Sequence, residues 1–532
     1  MYDLLIKNGI IADGTGDKPF TGMVYISDGK IAKVVKDCAP EEPAEKVIDA
    51  CGHIVAPGFV NIHCHSDKTY LSDPTYESML TSGVTFELCG LCGLSCIPVS
   101  EKNLKSQAGL GGLLTGNSNE TNYKPRDMKT YKEDVENTRV SINVGMMIGH
   151  GALRSTIAGW DQRPLTDEEL REMCELLDKE LKAGALGISF GLIYPPGSFC
   201  DTEEIKALAK VCAANDKVLA VHMRNENVRV FEALDEMISV AKETGVRLEI
   251  SHLKLMGKKM WGKSEELLAK VDQARKEGVI IYCDQYPYDA SHSGLQSSLP
   301  KEAVDGGYAK MVENLKDDEW WDRISCHGTL PELKNRGGAE NVYINELLPD
   351  AELPEIIGKS LTEIAEMYGM SLSDAVRYIL IHCGGKIQCV YHNMSMDDVL
   401  SIMSRRDISV ISDGTAYSFS NHNGMPHPRN AGTFARFFRL VRENDLMPIE
   451  DAVRKVSGLP AEVMGLDRQF GLIKEGLLAS ITVFDKDTVT DRATFDVPDL
   501  PSEGIDYVIV NGEIVLDHGK VTDARPGKVI LA

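Results

Sequence analysis

The sequence lacks both an excess of positive charge and a long hydrophobic run. Its 532 residues include 57 Lys and Arg against 80 Asp and Glu, which gives a formal net charge of −23 at pH 7. A field of this sign repels phosphate backbones, so we expect no nucleic-acid partner, although a few local cations can still bind a small anionic substrate. No apolar run approaches the roughly 18–20 residues that cross a bilayer, so we expect no membrane partner.

A targeting pattern and an even set of cysteines are also missing. Residues 1–16 contain no basic segment followed by a long apolar stretch, so we expect no signal peptide. The 13 cysteines are an odd number scattered along the chain, which suits a reducing compartment better than a disulfide framework. These features predict a cytoplasmic protein, and they give no indication of its oligomeric state.

The two ends of the chain share one pattern. Short β-rich segments alternate with turn pairs such as Asn8-Gly9, Asp28-Gly29 and Asn511-Gly512. Neither end has enough apolar surface for a core of its own, and two separate appendages would each expose an apolar face. We therefore expect residues 1–57 and 475–532 to form one small β-sandwich domain.

Between the two ends, short apolar runs recur with helical stretches between them, which is typical of buried parallel strands. The predicted strands are residues 59–65, 85–90, 143–149, 185–191, 218–224, 247–253, 279–287 and 408–414. Capping-box patterns at Thr166 and Asp201 predict the starts of two intervening helices. Eight such units predict an α/β fold, a (β/α)₈ TIM-like barrel over residues 58–474. About 120 residues separate the seventh and eighth strands, which predicts an insertion within about 295–400.

Residues suited to catalysis lie where a barrel enzyme needs them, at the C-terminal ends of the strands. The first run ends in a His-x-His pair, His63 and His65, and strand alternation directs both imidazoles to one face about 7 Å apart. His222, His252 and Asp413 end the fifth, sixth and eighth runs. Each of these alone is more often a structural or turn residue. Together with the cysteines of the second run, they are residue types that bind zinc at one end of five strands.

The second run ends in Cys89, Cys92 and Cys96, of which the first two form a C-x-x-C pair. The spacing is compatible with a redox dithiol, with half of a structural zinc site, or with neither. A redox pair normally opens a helix in a thioredoxin-like unit, whereas this pair follows a barrel strand. A structural zinc knuckle needs a second matching pair nearby, and the sequence has none.

Several segments resemble the amidohydrolase superfamily and, more narrowly, the D-aminoacylase (N-acyl-D-amino-acid deacylase) family. The supporting stretches are Ala56-Pro-Gly-Phe-Val-Asn-Ile-His-Cys-His, Gly149-His-Gly-Ala-Leu-Arg, Gly184-Ala-Leu-Gly-Ile-Ser-Phe-Gly, His222-Met-Arg, Ile250-Ser-His-Leu-Lys, Asp284-Gln-Tyr-Pro-Tyr-Asp, Ser412-Asp-Gly and His427-Pro-Arg. They extend over nearly the whole predicted barrel. The resemblance implies zinc-dependent hydrolysis of N-acyl-D-amino acids to a carboxylate and a free D-amino acid.

The resemblance also implies the metal ligands. A tightly bound zinc is expected on Cys92, His222 and His252, and a second, weaker site is expected on His63, His65 and Asp413. Many binuclear amidohydrolases bridge their metals with a carboxylated lysine on the fourth strand, but residues 185–191 contain no lysine. A thiolate from the second strand can take that place, and three protein ligands leave one position open for water. Cys89 and Cys96 are then packing residues.

Substrate contacts and the general base follow from the same resemblance. Asp413 is expected to take a proton from the zinc-activated water and to deliver it to the departing amine. The expected ligands of the substrate's free carboxylate are Lys254, Tyr286, Ser291 and Arg429, although a surface salt bridge is an alternative role for the arginine. Relatives that prefer acidic side chains carry a further arginine near this segment. Residues 291–300 contain no Arg or Lys, which favours neutral, hydrophobic side chains.

Two other functions stay open. One is a cyclic-amide hydrolase (hydantoinase-like or dihydroorotase-like) or a dipeptidase of the same superfamily, against which the missing strand-four lysine argues. The other is a non-catalytic barrel that serves as a scaffold. Such a scaffold is expected to lose metal ligands, whereas this sequence retains all six.

Overall fold

The computed structural model describes residues 1–36, 40–101, 104, 126–347 and 351–531. Its strands are Tyr2–Ile11, Phe20–Ser27, Lys30–Lys36, Ala44–Asp49, Ile54–Pro57, Phe59–Asn61, Val84–Cys89, Asn143–Met146, Ile148–Gly149, Gly187–Gly191, Val218–His222, Arg247–Ile250, Ile281–Gln285, Ser291–Gly294, Val342–Leu347, Ile387–Tyr391, Ser409–Val410, Ile481–Phe484, Ile505–Val510, Glu513–Asp517 and Lys520–Val521. Its α-helices are Thr69–Ser72, Glu77–Leu80, Met128–Thr138, His150–Ile157, Asp167–Lys182, Thr202–Ala214, Val230–Thr244, Ser264–Lys276, Tyr308–Asn314, Asp318–Ile324, Leu330–Asn335, Leu361–Tyr368, Leu372–His382, Met396–Met403, Arg429–Asn444, Ile449–Val456 and Gly458–Val463.

Each of the eight predicted apolar runs contains a strand, and these strands are parallel. The first three strands pair in chain order, and a six-stranded sheet continues from Ile148–Gly149 to Ser409–Val410. Backbone bonds join the first strand end to the last: Asp413 N–H donates to His63 O (2.9 Å) and His65 N–H donates to Gly414 O (2.7 Å). The strands therefore close on themselves, and the predicted α/β class is confirmed.

The observed strands are shorter than the predicted runs at their C-terminal ends. The fifth ends at His222 and the sixth at Ile250, and the eighth has only Ser409–Val410. Of the residues that follow these strands, His252 and Asp413 line the cleft above the barrel, whereas Met223 and Leu253 pack in the core.

Local sequence signals set the helices around the barrel. The Thr166 side chain accepts from Glu169 N–H and the Glu169 side chain accepts from Thr166 N–H, which is the predicted capping box. Met173 and Leu177 of this helix are buried against the barrel. Helices cover the outside of the sheet and side chains fill its interior, so strands such as Gly187–Gly191 are buried along their full length.

Both ends of the chain contribute to one nine-stranded sheet. Ile54–Pro57 pairs antiparallel with Ile481–Phe484, which joins the N-terminal strands to the C-terminal ones. Apolar side chains from both ends, among them Leu4 and Ile509, share one core cluster. The division of the chain into residues 1–57 plus 475–532 and residues 58–474 stays a prediction.

An extra segment lies between the seventh and eighth barrel strands. It contains an antiparallel sheet in the order Ser291–Gly294, Ile387–Tyr391 and Val342–Leu347, together with helices that share a separate apolar core around Trp321. Residues of all three strands of this sheet line the cleft above the barrel. Among the described residues, no helix is both long and apolar enough to cross a membrane.

Candidate active site

The predicted metal ligands gather at the C-terminal end of the barrel. They are contributed by five strand ends, as His63 and His65, Cys92, His222, His252 and Asp413. His65 is half-buried, with 16% of its side chain exposed, and the others are buried. The interior of the barrel therefore brings together side chains that are up to about 350 residues apart in sequence.

The Cys92 thiol lies at the centre of the group. Its Sγ is 3.3 Å from His63 Nε2, 3.4 Å from His252 Nε2 and 3.7 Å from His222 Nδ1. Candidate ligand atoms of His63, Cys92, His252 and Asp413 all lie within 4.8 Å of one another. Cys92 thus contacts both of the ligand sets expected from the sequence.

Asp413 lies at the other side of the group and shares its carboxylate among several partners. Its Oδ1 is 3.1 Å from His65 Nε2 and 3.3 Å from His63 Nε2. Its Oδ2 accepts a 2.8 Å hydrogen bond from Arg429 Nη1. Arg429 is buried, so the surface salt bridge considered from sequence is not the contact it makes.

Three of these residues have left-handed backbone conformations. Cys92 has φ 52°, His252 has φ 39° and Asp413 has φ 50°. Such conformations cost about 1–3 kcal/mol in residues other than glycine and persist where neighbours impose them. The Asp284 carboxylate accepts from His252 N–H, and His63 O accepts from Asp413 N–H. The strain accompanies the turn that directs each side chain inward.

The fourth strand ends directly against the Cys92 loop. A Cβ on Gly191 would lie 1.8 Å from Cys92 O, and one on Gly93 would lie 2.5 Å from Gly191 N. Ser189 Oγ accepts from Gly93 N–H at 3.0 Å. The end of this strand therefore has room for the loop but not for a side chain. A lysine at position 191 would not fit.

Charges in the group favour the ionised forms of Cys92 and Asp413. Burial lowers the pKa of His65, but Asp413 and Cys92 outweigh burial and raise that pKa to about 9. Burial raises the pKa of the Cys92 thiol, but His63 and His252 outweigh burial and hold that pKa well below its usual value. Burial likewise raises the pKa of Asp413, and Arg429 and His252 hold it well below the ordinary aspartate value. The site thus holds a thiolate and a carboxylate at neutral pH.

The other two cysteines of the second run differ in environment. Cys89 Sγ lies 3.6 Å from Cys64 Sγ, and burial raises the pKa of the Cys89 thiol well above its usual value. Burial raises the pKa of Cys96 to about 12. Both side chains are therefore protonated thiols packed in the core.

Two buried carboxylates that the sequence analysis missed lie behind the histidines. Glu226 Oε1 is 2.9 Å from His252 Nδ1, and Asp284 Oδ2 is 3.3 Å from His63 Nδ1. Glu226 lies four residues after His222, and Asp284 opens a motif already noted. For Glu226 the signal is a carboxylate shortly after a strand-ending histidine, because metal-binding imidazoles need an acceptor on their second nitrogen; Asp284 has no such signal.

The four expected carboxylate-binding residues all line the cleft, but they differ in whether their polar atoms already have hydrogen-bond partners. Tyr286 OH and Arg429 Nε are buried without a hydrogen-bond partner in the described part of the chain. The Arg429 guanidinium lies 4.9 Å from the centre of the Tyr286 ring. Lys254 Nζ donates to Glu226 Oε1 at 2.8 Å, and Ser291 Oγ donates to Asn393 Oδ1 at 3.2 Å.

A further group, His292, was not expected from the sequence. It follows Ser291 in the insertion strand and also lines the cleft. Burial, together with Arg429, lowers its pKa to about 3, and among the described residues its Nε2 has no hydrogen-bond partner. The sequence indicated this position only weakly, because active-site residues of a barrel are expected at the ends of its strands and His292 lies outside them.

The donor set fits a zinc ion. Thiolate and imidazole are the ligands that zinc prefers, and the nitrogen atoms around Cys92 Sγ approach it from three strand ends. Burying a thiolate and imidazoles together costs free energy unless they share a cation. A parallel barrel with this ligand set at its strand ends defines the class of metal-dependent barrel hydrolases.

The sequence comparisons give the family within that class. The chain belongs to the amidohydrolase family, whose model matches residues 46–328 and 413–516. It is 34% identical to N-acyl-D-glutamate deacylase of Alcaligenes xylosoxydans xylosoxydans, over 99% of this chain and 96% of that protein. It is 30% identical to D-aminoacylase of the same organism, over 99% and 97% of the two chains.

Solved structures agree with this relationship. N-acyl-D-glutamate deacylase from Bordetella bronchiseptica, complexed with zinc and a phosphonate inhibitor, superposes with a TM-score of 0.83 at 32% identity over the full length of both chains. A D-aminoacylase studied for its binuclear metal centre superposes with a TM-score of 0.84 at 30% identity, again over both full chains. An L-hydantoinase from Arthrobacter aurescens, at 15% identity and a TM-score of 0.58, shares the fold alone.

Proposed function

We propose that the protein is a zinc-dependent hydrolase that cleaves the amide bond of N-acyl-D-amino acids and releases a carboxylate and a free D-amino acid. The observation that carries this proposal is the Cys92 thiolate among three imidazoles beside Arg429 and Tyr286. A metal site and a receptor for a free carboxylate then lie in one cleft. Full-length similarity to proteins described as N-acyl-D-glutamate deacylase and D-aminoacylase supports it.

In this proposal Cys92, His222 and His252 hold one zinc tightly, and His63, His65 and Asp413 form a second, weaker position. Zinc supplies a water molecule activated at neutral pH and polarises the acyl carbonyl. The thiolate lies between the two sets, so it can contact either position.

Asp413 is the proposed general base. Its lowered pKa keeps it ionised at neutral pH, so it can accept a proton from the attacking water. The amine cannot leave as an anion, so the same carboxyl group then delivers the proton to the nitrogen. Arg429 holds the Oδ2 atom in place while Oδ1 faces the histidines.

The substrate's α-carboxylate is proposed to bind at the far side of Asp413. Arg429 Nε and Tyr286 OH offer unsatisfied donors there, and a charge-assisted hydrogen bond from a guanidinium is among the stronger polar contacts. Lys254 adds a positive charge beside the Tyr286 ring, 5.6 Å from its centre. Ser291 completes the set if its hydroxyl turns from Asn393.

We propose neutral side chains for the substrate. On the insertion side of the cleft, Arg336 is engaged by Glu332 (2.8 Å) and by Ser297. Burial raises the pKa of the Glu346 carboxyl in the same wall to about 7. This partly ionised acid would repel a second carboxylate placed beside it, which supports a hydrophobic side chain at this wall.

A screen of N-acetyl-D- and N-acetyl-L-amino acids for release of free amine tests the function. The expected result is turnover of neutral D-substrates, weaker turnover of N-acetyl-D-glutamate and N-acetyl-D-aspartate, and loss of activity on treatment with a chelator. Hydantoins and dipeptides belong in the same screen. Turnover of these compounds without turnover of any D-substrate would contradict the proposal in favour of the cyclic-amide or dipeptidase alternative.

The place of action is proposed to be the cytoplasm. The 12 described cysteines are free thiols, which a reducing compartment preserves. Fractionation of the source cells with an antibody to the protein checks this placement.

A further inference from the structure

We infer that His427 is a positioning residue for recognition of the substrate's carboxylate, and that it fixes Arg429 relative to the segment that carries Ser291. The inference rests on the proposed function and goes beyond it. His427 is none of the six residues expected to hold metal, and it does not line the cleft. It opens the His427-Pro-Arg stretch of the sequence.

The His427 ring bridges two segments that are far apart in sequence. Arg429 N–H donates a 3.0 Å hydrogen bond to His427 Nδ1. His427 Nε2 lies 3.1 Å from Ala290 O, the carbonyl directly before Ser291. A backbone N–H only donates and a backbone carbonyl only accepts, so Nε2 carries the imidazole proton and Nδ1 is unprotonated. One side chain therefore joins the start of the helix Arg429–Asn444 to the segment that enters the insertion.

The surroundings of the ring keep it neutral and fixed in orientation. His427 is 0% exposed, and burial together with Arg429 holds its pKa well below the usual histidine value. Two aromatic rings pack against it nearly at right angles, Tyr288 with ring centres 5.3 Å apart and Phe495 with ring centres 5.0 Å apart. A closely packed ring of this kind cannot turn away from its two backbone partners.

The bond to Arg429 also completes the start of the helix. The first N–H groups of a helix have no partner within it, and Pro428 at the N-cap provides no side-chain acceptor. His427 provides one through Nδ1 for Arg429, and its carbonyl accepts from Asn430 N–H at 3.0 Å. The backbone from which the Arg429 side chain extends is thereby held in place.

Further contacts tie the same two segments together. Tyr288 OH donates to Pro428 O at 3.2 Å. Arg436 Nε donates to Pro287 O at 2.6 Å, and its guanidinium lies 4.4 Å from the centre of the Tyr288 ring. The proposed carboxylate donors on the two segments therefore depend on one shared junction, to which His427 contributes a hydrogen bond on each side.

The test compares kcat/KM for N-acetyl-D-leucine with kcat/KM for N-acetyl-D-leucinamide, which lacks the carboxylate. In His427→Gln the amide nitrogen can still donate to Ala290 O, but the acceptor for Arg429 N–H is lost. The value for the carboxylate substrate is expected to fall roughly 10- to 100-fold, the cost of a small displacement of a positioning group. The carboxamide should be affected much less, so the ratio of the two values should fall.

This ratio separates positioning from a merely structural role. A structural loss lowers the fraction of folded enzyme, which scales both kcat/KM values equally and leaves their ratio unchanged. A double variant adds a second criterion. In the Arg429→Met background, His427→Gln should lower the ratio little further, because its effect acts through Arg429.

Two milder variants grade the effect. The Oδ1 atom of His427→Asn stands in the place of Nδ1 and can accept from Arg429 N–H, so the ratio should fall by less than in His427→Gln. Tyr288→Phe leaves His427 intact and removes only the bond to Pro428 O, so the ratio should fall by no more than roughly tenfold. This variant tests the junction even if the His427 variants do not fold.

His392→Gln is the matched control. The His392 ring belongs to the same aromatic group, 4.7 Å from the Phe495 ring, but in the described part of the chain its side chain has no hydrogen bond to either segment. Its ratio is expected to equal that of the wild type. An unchanged ratio in folded His427→Gln overturns the inference, and so does an equal fall in His392→Gln or an undiminished further fall in the Arg429→Met background. A wild type that hydrolyses no N-acyl-D-amino acid overturns the proposed function as well.

Discussion

The two halves of the metal-ligand group differ in what lies behind them. We call Cys92, His222 and His252 the cysteine side, and His63, His65 and Asp413 the aspartate side. On the cysteine side, a buried carboxylate faces the second nitrogen of both rings. On the aspartate side, the carboxylate is itself one of the proposed ligands, and its Oδ2 accepts a hydrogen bond from Arg429.

This difference would make the proposed zinc position on the cysteine side the stronger of the two. The cysteine side offers a soft thiolate and two oriented imidazoles whose charge is balanced from behind. The aspartate side has to compete with a guanidinium for its only carboxylate, so a cation there gains less. In this proposal the arrangement of the partners, rather than the number of ligands, sets the order of zinc affinity.

Removal of the thiolate is expected to have the largest effect, because Cys92 contacts both sides. Cys92→Ala should lower zinc affinity by more than the roughly 10- to 100-fold cost of an outer partner and should abolish activity. Metal analysis after dialysis, together with amine release, measures both. Cys89→Ala and Cys96→Ala are the controls, since these thiols pack in the core, and zinc loss in either would contradict the assignment of Cys92 alone.

The second-largest effect is expected from neutralising the Asp413 carboxylate. Asp413→Asn keeps the size of the side chain but removes the proton acceptor, so kcat is expected to fall by roughly 10²- to 10⁴-fold. The cysteine side should retain its zinc, which metal analysis of the same sample tests. A variant with full activity would remove Asp413 from the role of general base.

Removing the Arg429 guanidinium, which contacts Asp413, should make the metal affinities of the two sides more alike. Arg429→Met is expected to lower kcat/KM for N-acetyl-D-amino acids roughly 10- to 100-fold, because a hydrogen bond to a charged group is lost. The corresponding carboxamides, which lack the charge, should be affected much less. Release of Asp413 Oδ2 should also strengthen binding of a second zinc in a titration, and unchanged second-site affinity would argue against the competition described above.

The smallest effect is expected at Ser291. Its hydroxyl is directed to Asn393 Oδ1, so Ser291→Ala should raise KM by no more than roughly tenfold, the value of a single neutral hydrogen bond. Initial rates over a range of substrate concentrations measure this change. A larger increase would show that the hydroxyl turns to the substrate, and Ser293→Ala in the same strand serves as the comparison.

The sequence predicted the barrel and its insertion because the signals are local and periodic. Buried parallel strands such as Val218–His222 are short apolar runs, and capping boxes such as that of Thr166 and Glu169 lie within four residues. Strand alternation also placed His63 and His65 on one face, and their ring centres lie 5.7 Å apart. These features depend on neighbours in the chain.

Contacts made across the barrel could not be predicted in the same way. Glu226 is an ordinary acidic residue in a polar loop until folding buries it against His222, His252 and Lys254. His292 lies in the insertion and meets the cleft only because that sheet folds over the strand ends. Neither position follows from periodicity or spacing.

By itself, the sequence determined which residue types stand at each strand end and that the strands alternate with helices, because side-chain period and chain punctuation are local properties. Only the tertiary structure decided which nitrogen of each histidine faces Cys92 and which faces a carboxylate. It also decided that Lys254 and Arg429 are already bound to acids within the protein. Those facts depend on distances of a few ångströms between residues far apart in sequence, and closure of the barrel alone sets them.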